Sequence, residues 1–429
     1  MTLSWVSIVR LGLVQMALGA IVVLMTSTLN RLMVVELALP AALPGALVAL
    51  HYGIQITRPN WGFLSDTGGA RTRFIIGGMA VLSFGGILAA AAIWVLETNF
   101  TAGLVLNIIA YAMIGLGVGA SGTSLLALLA TATQPRHRAA AATITWLMMI
   151  FGIAVTAVVV GGLLEPYSPQ RMLKIVSIIA AGATLLTCLA VWGIERSVTA
   201  QPTTEHVPLM QGLAEVWAER KARVFTMFVF LSMTAYFMQE LILEPYAGLV
   251  FDFTPGQSTQ MSGAQNGGTF LGMITVGLLV SGLKLGSLRG WVIWGCLGST
   301  AALALIALNG ASQLGLPLVP LVIGLGYFNG MFAVAAIGSM MQLAGEGRAT
   351  REGTRMGLWG AAQAIAAGFG GLLGAAAADI LRLFTQDAVA FGAVFLFEAG
   401  LFLTAALMAR VIMDGPRTTP HSRALVPGE

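Results

Sequence analysis

Charge is scarce in this sequence of 429 residues. Asp, Glu, Lys and Arg together make up 9%, where soluble domains carry about a quarter. Too few polar side chains remain to cover a water-facing surface, which sets aside soluble enzymes, nucleic-acid binders and disordered scaffolds. Cysteine is nearly absent. Cys188 and Cys296 both lie in apolar runs, so neither a disulfide framework nor a thiolate metal cluster is expected. Of the four histidines, His137, His206 and His421 fall in polar segments and His51 in an apolar one. No P-loop, no H-E-x-x-H and no Ser/His/Asp spacing survives placement on helices, so neither an enzyme nor a resident metal or nucleotide is expected. What is abundant is apolar: 57% of the residues are hydrophobic and the mean hydropathy is +0.86.

A helix needs roughly 20 apolar residues to cross a hydrocarbon core of about 30 Å. Twelve segments qualify by pattern: 11–35, 42–64, 74–96, 102–131, 139–164, 171–194, 223–250, 260–281, 290–309, 316–344, 354–383 and 388–412. The first is too long for a signal-peptide core and has no small-residue cleavage site before the next span. With the amino terminus inside, seventeen of the 22 Lys and Arg collect on one side. Four (Arg31, Arg171, Lys174 and Arg382) lie on the other, and Arg58 sits within a span. That split predicts a multi-pass membrane protein with both termini cytoplasmic. Reporter fusions at Gly256 and at Arg348 should therefore report opposite sides, and both on one side would break the twelve-span scheme.

The longest polar stretch, 195–222, ends in a stripe of Leu209, Met210, Leu213, Val216 and Trp217, which predicts an amphipathic helix on the membrane lipids. It separates a six-span half (1–194) from a second (223–413), followed by a tail (414–429). Ile114-Gly115-Leu116-Gly117 recurs as Ile323-Gly324-Leu325-Gly326, and Gly161-Gly162-Leu163-Leu164 as Gly370-Gly371-Leu372-Leu373, both at an offset of 209. Parallel six-span repeats of this kind resemble the major facilitator architecture. The expected fold is thus all-α, with twelve transmembrane helices in two six-helix pseudo-repeats. Gly117-Val118-Gly119-Ala120-Ser121-Gly122 matches a dinucleotide fingerprint but lies inside a span with no strand before it. A small-residue face for close helix packing is the better reading.

Polar groups inside spans mark function, because each charge near the bilayer centre costs at least about 2.5 kcal/mol. His51, Gln55, Arg58 and Gly62 follow one helical stripe, with Trp61 beside it. Tyr236, Gln239, Glu240, Leu243 and Glu244 form another on the seventh span. Asn30, Arg31 and Glu36 gather at the far end of the first. Two readings stand: Arg31 or Arg58 pairs with Glu36, Glu240 or Glu244 as gates between helices, or these groups line a cavity. Glu-Pro-Tyr occurs twice. Glu165-Pro166-Tyr167 reads as the end of the fifth span, and Glu244-Pro245-Tyr246 as a kink in the seventh and the more functional of the two.

Gly62-Phe63-Leu64-Ser65-Asp66 with Arg71 and Arg73 resembles the facilitator signature, in which an Asp and a basic cluster lock cytoplasmic helix ends. Thr67 stands where that family favours Arg, and the matching loop of the second half, Gly282 to Arg289, has no acid. Ordinary alternating-access transport is therefore disfavoured. Longer strings resemble the PucC/LhaA family, a facilitator branch: Thr28 to Leu37, Arg58 to Asp66, Gly122 to Ala130, Leu243-Glu244-Pro245-Tyr246, and Met356 to Ile365. The resemblance implies assembly of light-harvesting antenna complexes in a photosynthetic membrane, with bacteriochlorophyll as cargo. It further implies antenna α and β polypeptides as partners, with the reaction centre and bacteriochlorophyll synthase as further contacts. The Gly-rich eleventh span (Gly368, Gly370, Gly371, Gly374) offers either a docking face or packing within the bundle. Pigment magnesium has an open axial position. On that implication His51, the histidine at membrane depth, is the candidate ligand, with Gln55 and Arg58 for ring oxygens and Trp61 as an aromatic surface. A histidine bonded to a neighbouring helix is the alternative. A solute transporter and a pigment-free chaperone for antenna helices remain the competing functions.

Overall fold

The computed structural model describes residues 3–58, 60–61, 71–134, 137–195, 217–345 and 352–412. Among the described residues twelve long helices follow one another: α1 (Trp5–Val23), α2 (Ala42–Ile54), α3 (Arg71–Thr98), α4 (Phe100–Ala132), α5 (Arg138–Leu163), α6 (Pro169–Val191), α7 (Arg220–Phe251), α8 (Pro255–Gly277), α9 (Leu288–Ser312), α10 (Leu318–Gly345), α11 (Glu352–Arg382) and α12 (Asp387–Ile412). Many starts are set by the residue just before them. Ser4, Asn99, Ser168 and Ser287 each accept the N–H three residues on, and Pro169 opens α6. Thr254 and Gln257 form a reciprocal capping box on α8.

Beyond Val23, α1 continues through two π-helical stretches, Leu24–Leu29 and Leu32–Glu36. Such widened turns interrupt the regular ladder and are frequent at functional sites. Nothing in Leu24-Met25-Thr26-Ser27-Thr28-Leu29 forecasts one, since the segment has neither Gly nor Pro.

The chain is a multi-pass membrane protein. Among the described residues, ten helices are long and apolar enough to cross a membrane. The two that fall short do so for physical reasons. The regular part of α2 spans only 13 residues before a 3₁₀ turn at Gln55–Thr57. Helix α8 carries Gln257, Ser258, Thr259, Gln260, Ser262, Gln265, Asn266 and Thr269, too polar a face to meet lipid. It is shielded instead between α5 and α10.

Packing repeats with a period of six helices. In the first half α1 packs on α5 and α6, α3 on α4 and α6, and α2 on α4; in the second, α7 packs on α11 and α12, α9 on α10 and α12, and α8 on α10. The halves meet along two seams, α2 with α11 and α5 with α8, which the same six-helix shift exchanges. This is the parallel pseudo-twofold of the major facilitator fold. Two hydrophobic cores follow the division, one drawn mostly from Leu3–Ile194 and one mostly from Phe225–Ala409.

The repeated strings share helices but not neighbours. A Cβ on Gly115 would press on the His51 carbonyl, while one on Gly324 meets open space. Gly161 faces α8, whereas Gly370 and Gly371 face α7. The 209-residue offset therefore marks equivalent helices without giving their rotational register. The fingerprint-like run in α4 is a packing face: Gly117 lies against Gly78 and Leu82 of α3, and Gly119 beneath Trp61.

Candidate functional site at the seam between the halves

The cross-half hydrogen bonds gather at one end of the bundle, where the widened end of α1 passes α7 and α8. Pro245 lies inside α7 and has no N–H, which leaves the Leu241 carbonyl without its helical donor. Asn30 supplies one: its Nδ2 donates to Leu241 O at 2.6 Å. The next residue, Arg31, is 2% exposed, pairs with Glu36 at 2.5 Å, and donates from Nη2 to the Phe253 carbonyl at 2.7 Å. Gly248 makes room for it, since a Cβ there would come 3.1 Å from the guanidinium. Hydroxyl pairs Ser27–Ser262 (2.9 Å) and Thr28–Thr259 (3.2 Å) join α1 to α8.

Two carboxylates close the same end, one on each seam. Asp379, near the end of α11, accepts the N–H groups of Ala41 (2.9 Å) and Ala42 (2.7 Å) at the start of α2. Glu165, just past α5, accepts the Thr254 hydroxyl and the Gly256 N–H (3.1 Å) at the start of α8. Each negative charge thus meets the positive pole of a helix in the opposite half. The pair is exchanged by the pseudo-twofold. Gly256 is obligatory here, because a Cβ would fall 2.5 Å from the Glu165 carboxylate.

Below this end lies the His51 relay. Arg58 donates to Gln55 Oε1, which turns the amide so that Gln55 Nε2 donates to His51 Nε2 at 2.9 Å. With Nε2 accepting, a neutral ring carries its proton on Nδ1, which is buried without a partner. Rings then step across the seam: His51 to Tyr52 at 4.8 Å, Tyr52 to Phe237 at 5.7 Å, and Phe237 to Tyr236 at 5.2 Å. Tyr52, Phe237, Tyr236 and Glu240 are half-buried. Trp61 donates from Nε1 to Thr57 at 3.1 Å.

Several sequence expectations need amending. Arg31 pairs with Glu36 as one gate reading had it, but Arg58 is exposed and engages Gln55 rather than a carboxylate. The stripe on α7 splits. Leu243 packs into the second-half core and Leu241 into the first, while Glu244 turns to the seam. Gly368 packs on α2, and Gly370, Gly371 and Gly374 on α7, so the Gly-rich face is used inside the bundle and is no docking surface. Arg71 is buried at the start of α3, where Glu195 accepts its N–H and that of Thr72 at 2.6 and 3.0 Å, and Arg73 is exposed. Asp66, Gly62 and most of the 195–222 linker, like the tail, lie outside the described residues.

Glu165 and Asp379 were not legible as site residues, and Glu165 read as a mere helix end. One signal pointed to Asp379. The start of α2, Leu39-Pro40-Ala41-Ala42, has no Ser, Thr, Asp or Asn to cap it, so its N–H groups need an acceptor from elsewhere.

The chain matches the PUCC protein family over residues 28–415. It is 68% identical over 411 residues to a Rhodobacter capsulatus protein named "Bacteriochlorophyll synthase 44.5 kDa chain", covering 95% of this chain and 96% of that one. Protein PucC of Cereibacter sphaeroides is 31% identical over 434 residues, covering 92% and 90%. Among solved structures, the nucleoside transporter NupG superposes with a TM-score of 0.68 at 14% identity, covering 95% of this chain and 99% of that one. A bacterial homologue of the lysosomal transporter Spinster gives 0.68 at 12%, covering 94% and 96%. These two likenesses speak for the major facilitator fold alone. The match to the family runs from the Asn30–Arg31 seam through the twin carboxylates to the last helix, and the chain belongs to the PucC family.

Proposed function

We propose that this protein is a non-enzymatic assembly factor that receives bacteriochlorophyll and hands it to light-harvesting α and β polypeptides within the inner or photosynthetic membrane. The reading is supported most by the ring step from His51 through Tyr52 and Phe237 to Tyr236. It runs across the seam beneath the closed end and sets edge-to-face aromatic rings beside one imidazole, groups able to contact a tetrapyrrole. Family membership and the name of the 68% identical relative point the same way. That name includes a synthase, but the polar interior here consists of gate and lining groups, and we read the chain as a pigment-handling component. With both termini cytoplasmic, the latched end faces outward and the His51 tier is reached from within the membrane or from the inner side.

In this reading the relay sets the resting state. His51 Nε2 is held by Gln55, so magnesium ligation needs the amide to swing away towards Arg58, and pigment and Gln55 compete for one lone pair. Protein purified in mild detergent from pigment-making cells should carry a tetrapyrrole absorbance band. His51→Ala should lower pigment content several-fold and shift the band, while His51→Gln should retain part of both. Unchanged content and an unshifted band in the alanine variant would remove His51 as the ligand, and absence of pigment from the native protein would remove the delivery reading.

Solute transport is the second reading, favoured by one observation: an end closed by twin latches is what a rocking transporter needs. Proton- or solute-driven uptake in vesicles, abolished by Asp66→Asn while antenna assembly persists, would establish it instead.

A further inference from the structure

Glu244 is the buried carboxylate that faces Arg31 and the hydroxyls of α1 and α8 at the seam between the halves. It is 2% exposed, and neither carboxylate oxygen has a hydrogen-bond partner. Arg31 lies nearby on α1 but is committed to Glu36 and to the Phe253 carbonyl. Three hydroxyls surround the carboxylate, Ser27 from the π-helical turn of α1 and Ser258 and Ser262 from one face of α8. None of them reaches it with hydrogen-bonding geometry. Ser27 and Ser262 instead bond each other, and Ser258 donates to the Pro255 carbonyl at 3.2 Å. The neighbouring Asn30 Oδ1 is likewise buried with no donor. The seam therefore holds an excess of acceptors around one buried carboxylate, which a bound cation or a proton would neutralise.

We propose that Glu244 and the hydroxyls of Ser27, Ser258 and Ser262 bind one monovalent metal cation, sodium, on the seam between the halves. Carboxylate and hydroxyl oxygens are hard donors, suited to hard cations. Both Glu244 oxygens are free of hydrogen bonds and so available to such an ion. One carboxylate matches one positive charge. A divalent ion would leave excess charge beside Arg31 in a low-dielectric site. An interrupted helix beside the oxygens, here the widened turn of α1, is how transporter folds frame such ions. The bound ion would tie α1, α7 and α8 together, and the inference does not depend on pigment handling.

The test uses the purified full chain in detergent, with choline chloride exchanged for NaCl at constant ionic strength. Radioactive sodium should bind saturably, and the unfolding temperature should climb with the logarithm of sodium concentration once it exceeds the dissociation constant. Potassium should act at least tenfold more weakly. Glu244→Gln should abolish both responses, and Ser258→Ala and Ser27→Ala should weaken them at least tenfold; Glu97→Gln, at an exposed position, should leave them intact. Should Glu244→Gln not fold, the two serine variants carry the test. No sodium binding by the native chain, or an undiminished response in the Glu244 or serine variants, overturns the proposal. A Glu244→Gln protein that is more stable than the native chain, with sodium inert in both, would show that a proton holds the site instead.

Discussion

Alanine at Gly272 should destabilise the protein by about 3 kcal/mol or more, while alanine at Gly267 should be neutral or stabilising. Helices α8 and α10 cross at two interlocked small-residue pairs. Gly268 and Gly272 lie against the Ile323 and Tyr327 carbonyls, and Gly326 and Gly330 against the Gln265 and Thr269 carbonyls. A Cβ at Gly272, Gly326 or Gly330 would overlap a backbone oxygen, which no rotamer change relieves. Gly267 and Gly324 have nothing within 4 Å, so a methyl group there gains helix propensity and meets no clash. The comparison is sharp because the insensitive glycines share the helices of the sensitive ones: Gly267 is five residues from Gly272, and Gly324 is two from Gly326. Thermal unfolding in detergent reads it directly. Equal midpoints for Gly324→Ala and Gly326→Ala would mean that the helices do not approach this closely. The crossing also explains how a helix as polar as α8 is kept in the membrane: backbone contact with α10 replaces side-chain burial.

Removing both latches should have the second largest effect. Each carboxylate accepts two hydrogen bonds from the opposite half, and a charge-assisted bond contributes about 1.5–3 kcal/mol. Glu165→Ala or Asp379→Ala alone should lower stability by about that amount, and the double variant by roughly the sum, since the seams are separate. Ala41 is 1% exposed beside the Asp379 latch. A cysteine placed there should react slowly with a membrane-impermeant maleimide in the native background. It should react at least tenfold faster when both latches are gone, because about 1.4 kcal/mol changes an opening equilibrium tenfold. Labelling that stays slow in the double variant would show that the Arg31 cluster alone holds this end shut.

The sequence announces the membrane protein through its composition, but the spans read from hydropathy begin two to six residues after the starts that Ser4, Asn99, Ser168 and Thr254 cap. Arg31 with Glu36 was also within reach, five residues apart. The latches were not, since Asp379 meets Ala41 across 338 residues and Glu165 meets Gly256 across 91. Apart from the Thr254 hydroxyl their partners are backbone N–H groups, which leave no trace in residue identity. The eighth span, read from residue 260, misses the first turn of α8 because Ser258 and Thr259 are polar and face the seam rather than lipid. Pro245 was read as a kink. Its more specific consequence, a freed carbonyl that receives Asn30, needs two helices to be seen together.

The placement of the latches on opposite sides of the pseudo-twofold also dictates how this end can part. Releasing both lets the halves rock away from each other and admits water along the axis. Releasing one leaves the other as a door hinge, and the gap then opens sideways, between α5 and α8 or between α2 and α11. A door on either side swings into hydrocarbon, not into water. For a cargo with a long apolar tail that is the useful exit, and each of the two doors is guarded by a single carboxylate.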